Sequence, residues 1–328
     1  MSSVKVLYHG RCLDGIASAA TFTRFYRECI DANAEFSYQA LLHGGATELT
    51  AEVLTGDVNA VVDFRYSPAP ELDWWFDHHR SAFVSDEDRA RFEATDDPKH
   101  QWDAGAPSCT GFIAKAAARD FGFDAAPLDD LVHWLDIVDA AKFESAESAV
   151  ALKEPAYQLM VVCGELTDAG LAERLIEGLI AGDVAEVAAR AEVQAAFVPI
   201  KKAQEDGLEL VRKCLTRIAD IALVDLLDHP DAVFNKFAPY ALEPDVTYVV
   251  VVHHFDGRIK LNVGCNPWRT DARRHDISSI CEQFGGGGHA VVGGISLGQA
   301  PVTHGRLVAG DVVEQLLTDP IDSPPSEE

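Results

Sequence analysis

Apolar positions along the chain follow two rhythms, and the switches between them mark its elements. VKVLY (4–8) is a short apolar run ending at His9-Gly10, and from Gly15 the stretch GIASAATFTRFYRECI carries apolar residues at helical spacing, so the chain begins strand, loop, helix. FSYQALL (36–42) and VNAVVDF (58–64) predict two further strands, the second nearly all apolar until Asp63, as suits a strand buried on both faces of a parallel sheet. DWWF (73–76) predicts a fourth, and helical periodicity returns at 108–121, from Ser108 after Pro107, and at 127–138. Strands alternating with helices predict an α/β fold built on an open, mainly parallel sheet, with its ligand site at the carboxyl ends of the strands. His9, Asp63 and the triplet Asp77, His78, His79 all stand at such ends.

Farther on, Ala, Glu, Leu, Arg and Lys dominate from 169 to 215 with Pro199 the only proline, which predicts one or two long connecting helices. IADIALVDL, VTYVVVVHHF and IKLNVGC predict strands of a second, smaller α/β domain with a mixed sheet, and the helical stretch DISSICEQF leads into GGGGHAVVGGISLG. The proline-rich, acidic end DPIDSPPSEE predicts disorder. These signals divide the chain into a first domain at 1–185, a helical linker at 186–215, a second domain at 216–317 and a tail at 318–328.

Composition narrows the partners. At 328 residues with 48% hydrophobic positions, the chain can build two cores. Its 53 acidic against 27 basic residues, a formal net charge of −26, argue against a long nucleic-acid surface, which needs Lys and Arg to displace counterions. A phosphate substrate must then be met by a local positive site, either metal ions or a few arginines. The same acidity also fits a solubility adaptation to high salt, and that alternative stays open. The start MSSVKVLYHG lacks the features of a secretory signal, and no window approaches the ~18 apolar residues of a membrane span, so the expectation is a soluble, cytoplasmic protein. A homodimer is as open as a monomer. Seven scattered cysteines without CxxC pairs predict reduced thiols and no disulfide or zinc framework.

Singly, an Asp after a strand is more often a turn or cap residue than a ligand, and paired histidines are as often a satisfied surface pair. Together, His9, Asp14, Asp63, His78 and Asp139 supply three carboxylates and two imidazoles, the first four of them at strand ends or in the loop beside one. Such a mixed set suits Mn²⁺, Fe²⁺ or Zn²⁺ in a partly open catalytic site better than a structural zinc site. His253 and His254 lack a carboxylate partner and read as strand residues near a surface.

HGRCLDGIASA, VVDF, DHH and DAAKF, in this order and spacing, resemble the four motifs of the DHH phosphoesterase superfamily, and GGGGH resembles the glycine-rich motif of its associated C-terminal domain. The likeness spans about residues 4 to 316. It implies two divalent metals, usually Mn²⁺ with Mg²⁺, Fe²⁺ or Zn²⁺ as alternatives, that hydrolyse phosphodiester or phosphoanhydride bonds. Position by position, it implies metal ligation by Asp14, Asp63 as the bridge, His78 and Asp139, with Asp136 one helical turn earlier as the fallback. Asp77 becomes a hydrogen-bond partner behind the ligands and His79 a contact to phosphate or leaving group. The chain departs from the family in its first motif: Cys12 fills the slot two before Asp14, and His9 sits one position out of register. Cys12 is therefore open between a thiolate ligand, a residue replaced in its role by water, and a plain loop residue.

In the second domain, Gly286, Gly287, Gly288, His289 and Gly294 match the family's glycine motif, Val292 replaces its alanine, and the resemblance implies substrate binding there through open backbone amides. The arginine that nucleic-acid-acting relatives often carry falls at Gly264, leaving Arg269 or Arg273 as substitutes or as solvated surface arginines. The resulting expectation is a Mn²⁺-dependent phosphoesterase with its site between two lobes, acting on a small phosphate compound or a short oligonucleotide. Alternatives are a nucleotide-binding or regulatory protein that has lost turnover, and a polyphosphate or pyrophosphate hydrolase.

Overall fold

A computed structural model of the protein describes residues 2–42, 49 and 52–318. The chain opens with β1 (Ser3–His9), α1 (Leu13–Cys29), β2 (Glu35–Leu41), β3 (Val58–Val62), β4 (Trp74–Asp77), α2 (Asp86–Glu93) and β5 (His100–Trp102). Helices follow: α3 (Cys109–Phe121), α4 (Asp129–Val138), α5 (Ala146–Ala151), α6 (Pro155–Gly164), α7 (Ala169–Leu179), α8 (Val184–Ala189) and α9 (Ala191–Cys214). The remainder is β6 (Leu215–Ile218), β7 (Ile221–Asp225), α10 (Ala238–Leu242), β8 (Tyr248–Phe255), β9 (Arg258–Cys265), α11 (Ile277–Glu282), β10 (Gly287–His289), β11 (Val292–Ser296) and α12 (Val302–Leu317).

Two compact units result, one from residues up to Phe143 with Leu152–Ile200, the other from Glu144–Ala151 with residues from Lys201 onward. In the first, five parallel strands lie in the order β2-β1-β3-β4-β5. β1 has β2 on one side and β3 on the other, so the strand order reverses there, and sheets of this kind bind ligands at the carboxyl ends of the strands beside such a point. The WWF run explains how β4 is held. Side chains alternate along a strand, so Trp74 and Phe76 face α1, where Phe22 lies 5.8 Å and 6.3 Å from their rings, while Trp75 points to Tyr66, 4.9 Å away, and Phe92, 5.2 Å away.

The second unit carries a six-stranded mixed sheet in the order β10-β11-β9-β8-β7-β6. Tyr248, Val250 and Val252 of β8 and Leu261 and Val263 of β9 form its core with Ile277 of α11 and Val312 of α12. His253 belongs to this strand structure: its Nδ1 pairs with the His254 carbonyl at 3.0 Å and its Nε2 with the Asn262 amide at 3.0 Å.

The stretch expected to hold one or two long helices contains three, α7, α8 and α9. Gly182 takes φ 86° and Asp183 caps α8 by accepting from the Glu186 amide, so the chain stops and restarts there. The tail assigned to 318–328 lies, after Thr318, outside the described residues. Among the described residues, no helix is long and apolar enough to cross a membrane.

Candidate metal centre

The site begins where α1 meets β1. A Cβ at Gly15 would lie 2.0 Å from the His9 carbonyl oxygen, so only glycine lets the first turn of α1 rest on the end of β1. That contact sets Asp14 in the interior, 1% exposed. Its carboxylate accepts from the amides of Cys109 (2.6 Å) and Thr110 (3.1 Å), the first residues of α3. A helix N-terminus offers unpaired N–H groups and positive potential, which is where a buried carboxylate is best held. Ser108 caps the same helix and donates to Asp136 Oδ1 at 2.6 Å, so Asp136 is spent on the cap while Asp139 reaches the site.

Asp63 follows β3 with φ 56°, a left-handed conformation that Asp tolerates better than most side chains. Its amide donates to the Phe76 carbonyl at 2.9 Å, and the Trp75 indole donates to the Phe64 carbonyl at 2.8 Å, so β4 holds the turn. The turn splits the Asp63 carboxylate between two sides: Oδ2 lies 3.2 Å from His9 Nδ1, and Oδ1 lies 3.5 Å from His78 Nε2 and 3.8 Å from His79 Nδ1.

The triplet after β4 has three separate duties. Asp77, fully buried, accepts through Oδ1 from the His78 amide (2.8 Å) and pairs with His79 Nδ1 at 2.7 Å. His78 Nδ1 lies 2.9 Å from the Ala106 carbonyl, a pairing that fixes the proton on Nδ1 and turns Nε2 toward Asp14 (3.7 Å), Asp63 and Asp139 (3.3 Å). The Trp102 indole donates to the His79 carbonyl at 2.8 Å and pins the end of the triplet.

Crowding three carboxylates here is electrostatically costly. Burial, then Asp63 and Asp139, push Asp14 well above the usual carboxylate range, and burial and Asp63 push Asp139 up. Burial also acts to raise Asp63, but the imidazoles of His78 and His9 beside it outweigh burial and leave its carboxyl below the usual value. Burial acts to lower His78, yet Asp63 and Asp14 overcome it and carry His78 up to about 10. His79 is raised by Asp77. Burial, Asp63 and Asp14 push the Cys12 thiol well up.

The donors form three overlapping trios, His9-Cys12-Asp63, Asp63-His78-His79 and Asp14-His78-Asp139, with ligand atoms of each trio within 4.8 Å of one another. Buried Asp63 Oδ1 and His78 Nε2 have no hydrogen-bond partner among the described residues, an expensive state for polar atoms in a protein interior. Divalent cations would satisfy both atoms and neutralise the clustered carboxylates, so the residues fit a metal pair.

His9, Cys12, Asp14, Asp63, His78 and Asp139 are thus brought together, and the register shift at His9 does not remove it from the cluster. Sequence reading missed the amides of Cys109 and Thr110 as the seat of Asp14; the capping Ser108 was the one available signal. Gly286, Gly287, Gly288 and His289 lie in the second unit, where β10 forms an edge strand paired with β11. Arg269 donates to the Asp245 carbonyl, whereas Arg273 donates to the Ala290 carbonyl at 3.0 Å, beside His289. At Gly264 a Cβ would meet the Tyr240 hydroxyl at 2.6 Å, so the arginine of nucleic-acid-acting relatives has no room there.

No family model and no curated protein matches the chain. Solved structures do. The pGpG-specific phosphodiesterase PggH from Vibrio cholerae is similar over 97% of this chain and 100% of its own, at 17% identity and TM-score 0.72. An exopolyphosphatase-related protein from Bacteroides fragilis is similar over 95% of this chain and 92% of its own, at 14% identity and TM-score 0.52. RecJ from Thermus thermophilus in complex with Mn²⁺ matches 98% of this chain at 14% identity and TM-score 0.51, the chain spanning 53% of it. The chain shares its two-unit α/β fold with these proteins, the fold that its resemblance to the DHH superfamily implies.

Proposed function

We propose that the chain is a metal-dependent phosphoesterase that hydrolyses a small phosphate compound or a short oligonucleotide, with a dinucleotide the favoured size. The observation that carries this reading is Asp63, whose two carboxylate oxygens face separate clusters of donors at 3.2 Å and 3.5 Å. A carboxylate shared in this way is what holds two ions close enough to act on one phosphate. His9, Cys12 and Asp63 would hold one ion and Asp14, His78, Asp139 and Asp63 the other, with Mn²⁺ the expected metal at the second position. Bound ions would supply positive charge for the phosphoryl oxygens and lower the pKa of water at the site.

The chain's own groups account for the rest. Asp77 orients His79 and favours its protonated form, so His79 is placed to donate a hydrogen bond or a proton to a leaving oxygen. Gly286, Gly287, Gly288 and His289 would bind a remote phosphate through backbone amides and an imidazole, with Arg269 or Arg273 contributing charge. The whole-length likeness to a pGpG-specific phosphodiesterase supports a dinucleotide, and the net charge of −26 supports short substrates over long strands.

The test is product release by the purified protein with Mn²⁺ from pGpG, a longer RNA, adenosine 3′,5′-bisphosphate, pyrophosphate and polyphosphate, beside an Asp63→Asn variant. Hydrolysis of one class that the variant loses supports the reading; silence across the panel with metal bound would shift it to a nucleotide-binding protein. Polyphosphate hydrolysis is the second reading, favoured by the likeness to the exopolyphosphatase-related protein.

A further inference from the structure

We propose that Cys12 is a metal ligand and that its thiolate makes the His9-Cys12-Asp63 position selective for Zn²⁺, Co²⁺ or Fe²⁺ over Mn²⁺ and Mg²⁺, a reading that rests on the metal pair above. Cys12 occupies the N-cap of α1. Its sulfur lies within 4.8 Å of ligand atoms of His9 and Asp63. It is a free cysteine, with no disulfide competing for the sulfur. Asp63, 1% exposed, brings its Oδ2 to 3.2 Å from His9 Nδ1 on this side of the cluster. A buried carboxylate beside a thiol and an imidazole makes a three-donor set for a cation.

The two ends of the cluster differ in chemistry. Asp14, His78 and Asp139 offer two carboxylates and one imidazole, a hard set suited to Mn²⁺ and Mg²⁺. His9, Cys12 and Asp63 offer one nitrogen, one sulfur and one oxygen, and a thiolate shifts preference toward softer, borderline ions. One centre would then hold two different metals.

The experiment is an anaerobic Co²⁺ titration of the metal-free full-length chain, read by absorption, with Cys12→Ser and Cys29→Ser alongside and folding checked by circular dichroism. Visible cobalt bands report binding, and a near-ultraviolet sulfur-to-cobalt charge-transfer band reports thiolate ligation. Expected is a charge-transfer band in the wild type and in Cys29→Ser that disappears in Cys12→Ser. In Cys12→Asp, the preference for Zn²⁺ over Mn²⁺ should fall at least about tenfold, the scale on which metal sites respond to altered support. Visible bands without a wild-type charge-transfer band, or a band that survives Cys12→Ser, would overturn this inference and leave the metal pair standing. No cobalt spectrum at all would overturn both. The wild-type spectrum decides the matter even if Cys12→Ser fails to fold.

Discussion

Asp63 Oδ1 and His78 Nε2 face each other at 3.5 Å, both buried and neither hydrogen-bonded among the described residues. Two groups left this way in an interior fit the metal ion proposed between them. Removing one charge should therefore empty the site without unfolding the domain. Asp63→Asn is the suitable variant: Asn tolerates the φ of 56°, whereas other side chains there cost about 1–2 kcal/mol in backbone strain. Turnover should fall at least ~100-fold, since the residue sits between both proposed ions. Calorimetry should show lower metal stoichiometry with secondary structure retained. An Asn variant that binds two ions and keeps a substantial part of its turnover would remove Asp63 as the bridge.

Asp77 and His79 make a second, independent claim. Because Asp77 Oδ1 lies 2.7 Å from His79 Nδ1 and raises its pKa, replacing the carboxylate by an amide should return His79 toward its ordinary value. Asp77→Asn keeps an oxygen for the His78 and His79 amides, so the turn should survive. The His79 titration, followed by NMR in the metal-free protein, should move to lower pH. The pH profile of turnover should move with it if His79 acts on the leaving group. An unmoved titration would assign the raised value to other groups.

Protons would compete with the proposed metal ion for His78. Its pKa, carried up to about 10 in the metal-free protein, means that folding favours the protonated ring. A raised histidine value contributes stability that is complete below its unfolded value of ~6.5 and is lost as pH rises through about 10. Metal-free protein should accordingly lose thermal stability across that window. Metal affinity should rise over the same window, because binding through Nε2 must expel the proton. Thermal melts and metal titrations from neutral to alkaline pH check both directions together. A metal affinity that stays flat with pH would take His78 out of the ligand set.

How much of this was readable beforehand varied by element. Strands β1, β3 and β4 announced themselves because burial on both faces of a parallel sheet leaves nearly continuous apolar runs. The short β5, His100–Trp102, is half-buried and three residues long, too little to carry a period, and the helix α2 has no buried residue to mark a face. The break between α7 and α8 was written in Gly182-Asp183, a stop followed by a cap, but was hidden within a helix-rich composition. At the site, side chains at strand ends were legible because the sheet topology dictates where ends converge. What holds them was not: Asp14 rests on the amides of Cys109 and Thr110, some ninety-five positions away, and backbone groups leave no mark in sequence.

The glycine strand offers a separation of ligand contact from folding that most glycine motifs deny. A Cβ at Gly288, where φ is 153°, would meet the Val292 carbonyl oxygen at 2.3 Å and the Gly293 Cα at 2.5 Å, so Gly288→Ala must disturb the pairing of β10 with β11. A Cβ at Gly287 would meet nothing within 4 Å. Among the described residues no contact requires glycine at 287, so the open space beside it is available to the proposed ligand. Gly287→Ala should keep the wild-type melting temperature while raising KM several-fold, with kcat nearly unchanged, because it obstructs binding remote from the reacting bond. His289→Ala should shift KM in the same direction without a stability change, since His289 is exposed. Gly288→Ala, by contrast, should lower the melting temperature first. Steady-state kinetics and melts on the three variants decide the matter. Unchanged KM in both Gly287→Ala and His289→Ala would confine substrate binding to the first unit.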